Sequence, residues 1–471
     1  MQNLRLRSFR YTNVVILAAV SLLFGAAGAG IGCSAGKQTV ETGGAAGSGG
    51  SAGGSGGGTT TGSPTGQGGV GGDFPVGGSG NTMNMGCDPG LPDIDDDMDG
   101  FTEAQGDCDD CNEFANPKAA EIVAEPDPAN PDKPLPDPAD EDCDDLIDLK
   151  DPDLQACDMG LALDSVEPMD AVKAIGFCDK EKDGTPKFIK KATWVLADGL
   201  PPGPSVDMAK FHLGHGLLDH LGDNDLPREG ERMLALSSGT ARNKEEPGFV
   251  SRNYNKEYSS NPPLTFNGES PACPGVVVPK SSVQDAAGIE LEIEAPSNAL
   301  SLEFNFNFHS YEFPQFICTQ FNDFFWANFI QGNVNKNVSF DEKGNAISVN
   351  AAFLTQCDCP PSGPGICLAP PTPAPGQPQK EFDCKGIDLL QGTDFDGNTN
   401  PAQVAGWTNG GSGWLKTTVP VEPNKLIKLR FVTFDSGVSA NGTKDHNVDS
   451  TTLIDKFRWH AIPAVNQTIP E

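Results

Sequence analysis

Asp95, Asp97 and Asp99 stand at alternate positions, and Gly100 follows at once. Alternate carboxylates can converge on one hard cation, and Gly permits the sharp turn that brings them round, so this spacing points to calcium held by oxygen. An EF-hand would place a bidentate Glu at the twelfth loop position. Gly106 stands there instead, with Asp107, Asp109 and Asp110 just beyond it, and no amphipathic helices flank the run. A second acidic cluster, DEDCDDLID over 140–148, adds Asp142, Asp144 and Asp148. These nine aspartates are the candidate metal ligands, and the ion's role would be structural, neutralising carboxylates that otherwise repel.

The charge is concentrated around them. The 471-residue chain has a formal net charge of −33, and residues 88–158 hold 25 Asp or Glu against three Lys, two thirds of that net charge. Such a surface repels nucleic acid and anionic headgroups and attracts divalent cations. Nucleic-acid binding is therefore excluded as a main function.

Arg5, Arg7 and Arg10 precede an apolar run from Val14 to Phe24, and small residues follow up to Gly32-Cys33. This is the pattern of an export signal, too short for a stable membrane span. The Gly30-Ile31-Gly32-Cys33 ending resembles a bacterial lipobox, with Gly30 in place of the usual Leu. That resemblance implies lipidation of Cys33 and membrane attachment through the N-terminal lipid. Ser34 after the Cys implies sorting to the outer membrane or cell surface, the alternative being plain secretion. The other twelve cysteines, Cys87, Cys108, Cys111, Cys143, Cys157, Cys178, Cys273, Cys318, Cys357, Cys359, Cys367 and Cys384, suit disulfides in an oxidising compartment. Cys108-x-x-Cys111 is not expected to be a zinc or redox pair. Asp107, Asp109 and Asp110 disfavour a thiolate, and no second close pair is present.

In order, the chain divides into a signal (1–32), a Gly/Ser-rich tether expected to be disordered (33–86), the acidic Cys-rich module (87–158), a mixed region (159–274) and a strand-rich unit (275–463). The mixed region is expected to belong to the strand-rich unit or to pack on it. The module's DxDxDG (95–100), GDCDDCN (106–112) and NPKAAE (116–121) resemble the MopE-type metal-binding motif, akin to thrombospondin type 3 calcium repeats. The Pro-rich stretch EPDPANPDKPLPDP (125–138) departs from that pattern and separates the two acidic halves.

The mixed region carries no catalytic signature. His212, His215 and His220 lack the Glu of H-E-x-x-H, and His215-Gly216 suggests a turn. Ser237-Ser238 has neither a G-x-S-x-G elbow nor an S-x-x-K partner. Met169–Cys178 has helical spacing, and 192–199 reads as strand and turn.

In ALSLEFNFNFHS, Leu300, Leu302, Phe304, Phe306 and Phe308 alternate with Ser301, Glu303, Asn305, Asn307 and His309. A period of two predicts a strand with one buried and one wet face, at the centre of a sheet. Ile289, Leu291 and Ile293 repeat the pattern, and further short strands follow at 337–340, 346–350, 415–421, 425–434 and 451–460. The predicted fold is mainly β. A C-terminal antiparallel sandwich or jelly roll is preceded by the mixed α/β region and the small acidic module. SYEFPQF (310–316), FNDFF (321–325), NVSF, ISVN and VDSTTLIDKF (448–457) resemble the bacterial choice-of-anchor L domain, which implies a surface location more than a chemistry. Glu312, Asp323 and Asp449, in loops or at strand ends, are a candidate second calcium site. The whole predicts a non-catalytic surface protein for adhesion, recognition or envelope scaffolding, with a glycan or protein partner. The alternatives are a glycan-active hydrolase using a carboxylate cleft, for which Glu303 and Glu312 are the available pair, and a passive coat component.

Overall fold

The computed structural model describes residues 91–471 apart from 124, 127–133, 136–139, 148–149, 281–282, 352, 361–366, 369–380, 398–405 and 438–447. The signal, the tether, Cys33, Cys87, Asp148 and the side chain of Cys367 therefore lie outside the described residues.

Two antiparallel sheets are built from β1 (Ile189–Val195), β2 (His215–Leu218), β3 (Met233–Ser237), β4 (Val283–Glu294), β5 (Ser301–Ser310), β6 (Phe324–Gln331), β7 (Val334–Asn337), β8 (Gly410–Pro420), β9 (Leu426–Ser436), β10 (Ser450–His460) and β11 (Gln467–Pro470). One sheet runs β7-β6-β9-β4-β1 and the other β11-β8-β5-β10-β3-β2. The mixed region thus supplies β1 to one sheet and β2 and β3 to the other, alongside two short helices, α1 (Pro168–Ala174) and α2 (Met208–Leu213). Aromatic rings fill the space between sheets: Phe304 meets Phe431 edge-on at 4.8 Å, and Phe306 meets Phe325 at 4.7 Å.

As the alternation predicts, β5 is an inner strand, paired with β8 and β10. Its second face is not wet. Glu303 is 6 % exposed, and Asn305, Asn307 and His309 are fully buried. The loop between β2 and β3 covers that face and brings Asp225 onto it. Asp225 Oδ2 accepts a hydrogen bond from Asn307 Nδ2 at 2.7 Å and lies 3.0 Å from His309 Nε2, while Oδ1 accepts one from Trp414 Nε1 at 2.7 Å. Asp225 takes up the Asn307 amide and the His309 ring without water, so polarity at these two positions did not mean exposure.

His215-Gly216 likewise opens β2 instead of forming a turn. Gly214 ends α2, and the chain pairs at once with β3. His215 stacks on Trp194 at 3.8 Å, and its Nε2 lies 2.9 Å from His212 Nδ1. His220 is apart, beside Asp219 at 2.6 Å. The three histidines form no common cluster among the described residues.

Candidate metal centre

The acidic module folds as turns whose geometry comes from its own aspartates. Asp95 accepts from the Met98 and Gly100 amides at 2.7 and 3.1 Å, Asp97 from Asp99 at 3.1 Å, and Asp99 from Phe101 at 2.8 Å. Gly100 and Gly106 have φ of 104° and 103°, a left-handed conformation that Gly adopts without strain. These bonds to the backbone hold the carboxylates facing one another. Asp95, Asp97 and Asp99 bring ligand oxygens within 4.8 Å of one another, and so do Asp97, Asp107 and Asp110. Asp107 is 5 % exposed, and its Oδ2, like Oδ2 of Asp97, is buried with no hydrogen-bond partner. Asp109 is exposed and joins neither set; its amide orients Asp107 at 2.9 Å. Asn116 was not anticipated. It is fully buried and donates to Asp99 Oδ2 at 2.7 Å.

Burial, and then the charges of Asp99, Asp110 and Asp95, raise the Asp97 carboxyl to about 6 against the pull of its amide bond. Burial and neighbouring aspartates do the same to Asp107, also to about 6. A bound cation would remove that penalty by compensating the charged form.

In the second half, Asp142 and Asp144 converge with Asp140, and Asp142 also converges with Glu121 and Asp151. A disulfide from Cys108 to Cys143 joins the two halves across the Pro-rich stretch. It also removes both sulfurs as ligands, so Asp107, Cys108 and Cys143, though close, make no metal set. The remaining donors are all oxygen, which fits a hard cation and not zinc. Further disulfides pair Cys157 with Cys178, Cys273 with Cys318, and Cys357 with Cys384, and Cys111 and Cys359 are disulfide-bonded too. The Cys108-x-x-Cys111 pair is therefore structural, as expected.

The module is fixed to the sandwich at the turn between β4 and β5. Asn298 accepts from the Ala120 amide at 3.0 Å and donates to Ala120 O at 2.8 Å, and Ser297 Oγ donates to Asn116 Oδ1 at 2.7 Å.

No family model, curated protein or solved structure matches the chain. The likenesses to the metal-binding motif and to the choice-of-anchor L domain accordingly rest on the residues of those motifs alone.

Glu312, Asp323 and Asp449 are all buried, but they do not bring three ligand oxygens within 4.8 Å of one another. Glu312 Oε2 accepts from the Asp323 amide at 2.6 Å, and Asp449 Oδ2 from the Tyr254 amide at 2.8 Å. Burial and nearby Asp435 push the Asp323 and Asp449 carboxyls far above their ordinary range. Lys256, fully buried beside them, donates to Ser237 O and Asp285 O at 2.7 and 2.8 Å. The second candidate site is therefore a buried, hydrogen-bonded acid cluster whose three carboxylates do not converge as a set.

The glycosidase pair is also dispersed. Glu303 stands near the start of β5 and Glu312 just past its end, with seven residues of extended strand, roughly 23 Å at about 3.3 Å per residue, between Glu303 and Ser310, so the strand does not itself bring the two carboxylates together. Burial works to raise the Glu303 carboxyl, but His460 and Lys416 outweigh it and hold it below its ordinary value, unsuited to a general acid.

Proposed function

We propose that this chain is an exported, lipid-anchored, cell-surface protein whose acidic module binds calcium as a structural ion beside a β-sandwich that serves recognition or adhesion. The observation that carries the reading is Asp107. Its carboxylate is buried, converges with Asp97 and Asp110, and keeps one oxygen without a hydrogen-bond donor. A group of that kind is costly unless a cation or proton satisfies it. Calcium fits the all-oxygen donor set, and extracellular modules bind it with Kd on the order of 10⁻⁴–10⁻³ M. Export is supported by the N-terminal pattern and by the disulfides, which persist in oxidising compartments. The lipid is read from Cys33, and a glycan or protein partner from the surface location that the domain resemblance implies.

Calorimetric titration of the chelator-treated chain with calcium tests the reading, together with its melting temperature with and without the ion. Binding heat and a higher melting temperature are expected. No heat and an unchanged melt would overturn the metal reading. Turnover in a screen of glycan substrates would replace the recognition role with the hydrolase.

A further inference from the structure

A separate group of carboxylates lies deeper, where the module meets the sandwich. Glu121, Asp142 and Asp151 come from three different segments, and their ligand oxygens all lie within 4.8 Å of one another. They are 4 %, 8 % and 0 % exposed. Two of them have an oxygen left over: Asp142 Oδ1 and Asp151 Oδ2 are buried and meet no hydrogen-bond donor. The other oxygens are committed. Asp142 Oδ2 pairs with Lys187 Nζ at 2.7 Å, Asp151 Oδ1 accepts from the Asp153 amide at 2.6 Å, and Glu121 Oε2 accepts from the Glu141 amide at 3.1 Å.

We propose that Glu121, Asp142 and Asp151 form a second, buried site for a hard divalent cation of calcium's size, which fastens the acidic module to the sandwich. Glu141, also buried, stands beside Glu121, and Lys187, paired with Asp142, is the cation nearest the group, so negative charge is in excess here. Oxygens within 4.8 Å of one another can share one hard cation; calcium accepts such all-oxygen sets, whereas magnesium usually keeps several waters. Zinc has no ligand to prefer, since Cys143 is already bridged. Lys187 leads directly into Phe188 and Ile189, which sit in the main core, and Ile122, next to Glu121, packs into the same core. An ion at this point therefore ties the acidic segment to the strand framework.

This site shares no residue with the sets Asp95–Asp97–Asp99 and Asp97–Asp107–Asp110, and only Asp142 with the set Asp140–Asp142–Asp144, so changes at Asp151 and at Asp97 let the two readings fail separately. Calcium would be counted by calorimetry and elemental analysis on the full chain after chelation. Asp151→Asn, which keeps the acceptor for the Asp153 amide, is expected to lose one bound equivalent while the loop binds as before. Asp97→Asn is expected to weaken the loop and leave the buried equivalent in place. Full wild-type stoichiometry in Asp151→Asn, with affinity changed less than about threefold, would overturn the proposal. Lys187→Gln gives an independent arm should Asp151→Asn not fold. Removing the competing ammonium is expected to tighten the buried site about tenfold and to destabilise the chain only when calcium is absent. An equal loss of stability with and without calcium would mean that Lys187 is merely a salt-bridge partner, and the proposal would fall.

Discussion

Asp225 and His309 lie 3.0 Å apart, Oδ2 to Nε2, and both are fully buried although 84 residues separate them in the chain. The same carboxylate receives the Asn307 amide and the Trp414 indole, so one side chain from a loop satisfies three donors on the outer face of the second sheet. That face can be closed to water only while Asp225 is in place. Asp225→Ala leaves a ring, an amide and an indole without an acceptor, and is expected to cost about 3–5 kcal/mol. Urea denaturation of both proteins measures it; a shift under about 1 kcal/mol would show that water replaces the carboxylate.

The Cys108–Cys143 bond closes a 35-residue span that includes the Pro-rich stretch. Chain-entropy reasoning gives it about 3–4 kcal/mol. Replacing both cysteines by Ser is expected to lower the melting temperature and to weaken calcium binding by the module, since its two acidic halves would then move independently. Binding isotherms of the double variant that superimpose on the wild type would disprove the second effect.

Asp97 and Asp107 give the metal-free chain an unusual pH dependence. Their folded pKa values, about 6, lie above the ordinary 3.8, so the protonated form is favoured by folding. Their contribution is fully present below about pH 4 and is lost as pH rises through about 6. In chelator, stability is expected to fall between about pH 4 and 6.5. On the proposed reading, saturating calcium is expected to hold both groups ionised, flattening the profile above about pH 5 and making stability fall instead as pH drops toward about 4 and below. Melting curves across that range, with and without calcium, decide the point, and parallel profiles would refute it.

Phe304 packs edge-on against Phe431 between the two sheets and is 1 % exposed. Phe304→Ala opens a cavity in a region lined by rings and strand backbones that cannot collapse to fill it. The expected loss is about 3–5 kcal/mol with calcium binding unchanged. A parallel loss of affinity would mean that the module and the core are coupled more tightly than the separate contacts suggest.

Much of the molecule was legible beforehand because it depends on local periodicity. Alternation at 300–308 places β5 inside a sheet, and the Asp95–Gly100 spacing brings three carboxylates together, since both follow from backbone geometry over a few residues. Glu121 was visible only as the end of NPKAAE, and Asp151 carried no signal, being one acid among many.

The sequence by itself determined the strands, the alternate spacing of Asp95, Asp97 and Asp99 and the uneven charge, all properties that can be read from neighbouring residues. Only the tertiary structure decided that neither face of β5 meets water, which cysteines pair, and that Glu121, Asp142 and Asp151 converge while Glu312, Asp323 and Asp449 do not. The reason is physical: burial and convergence depend on segments tens to hundreds of residues apart, and no local pattern encodes what covers a face.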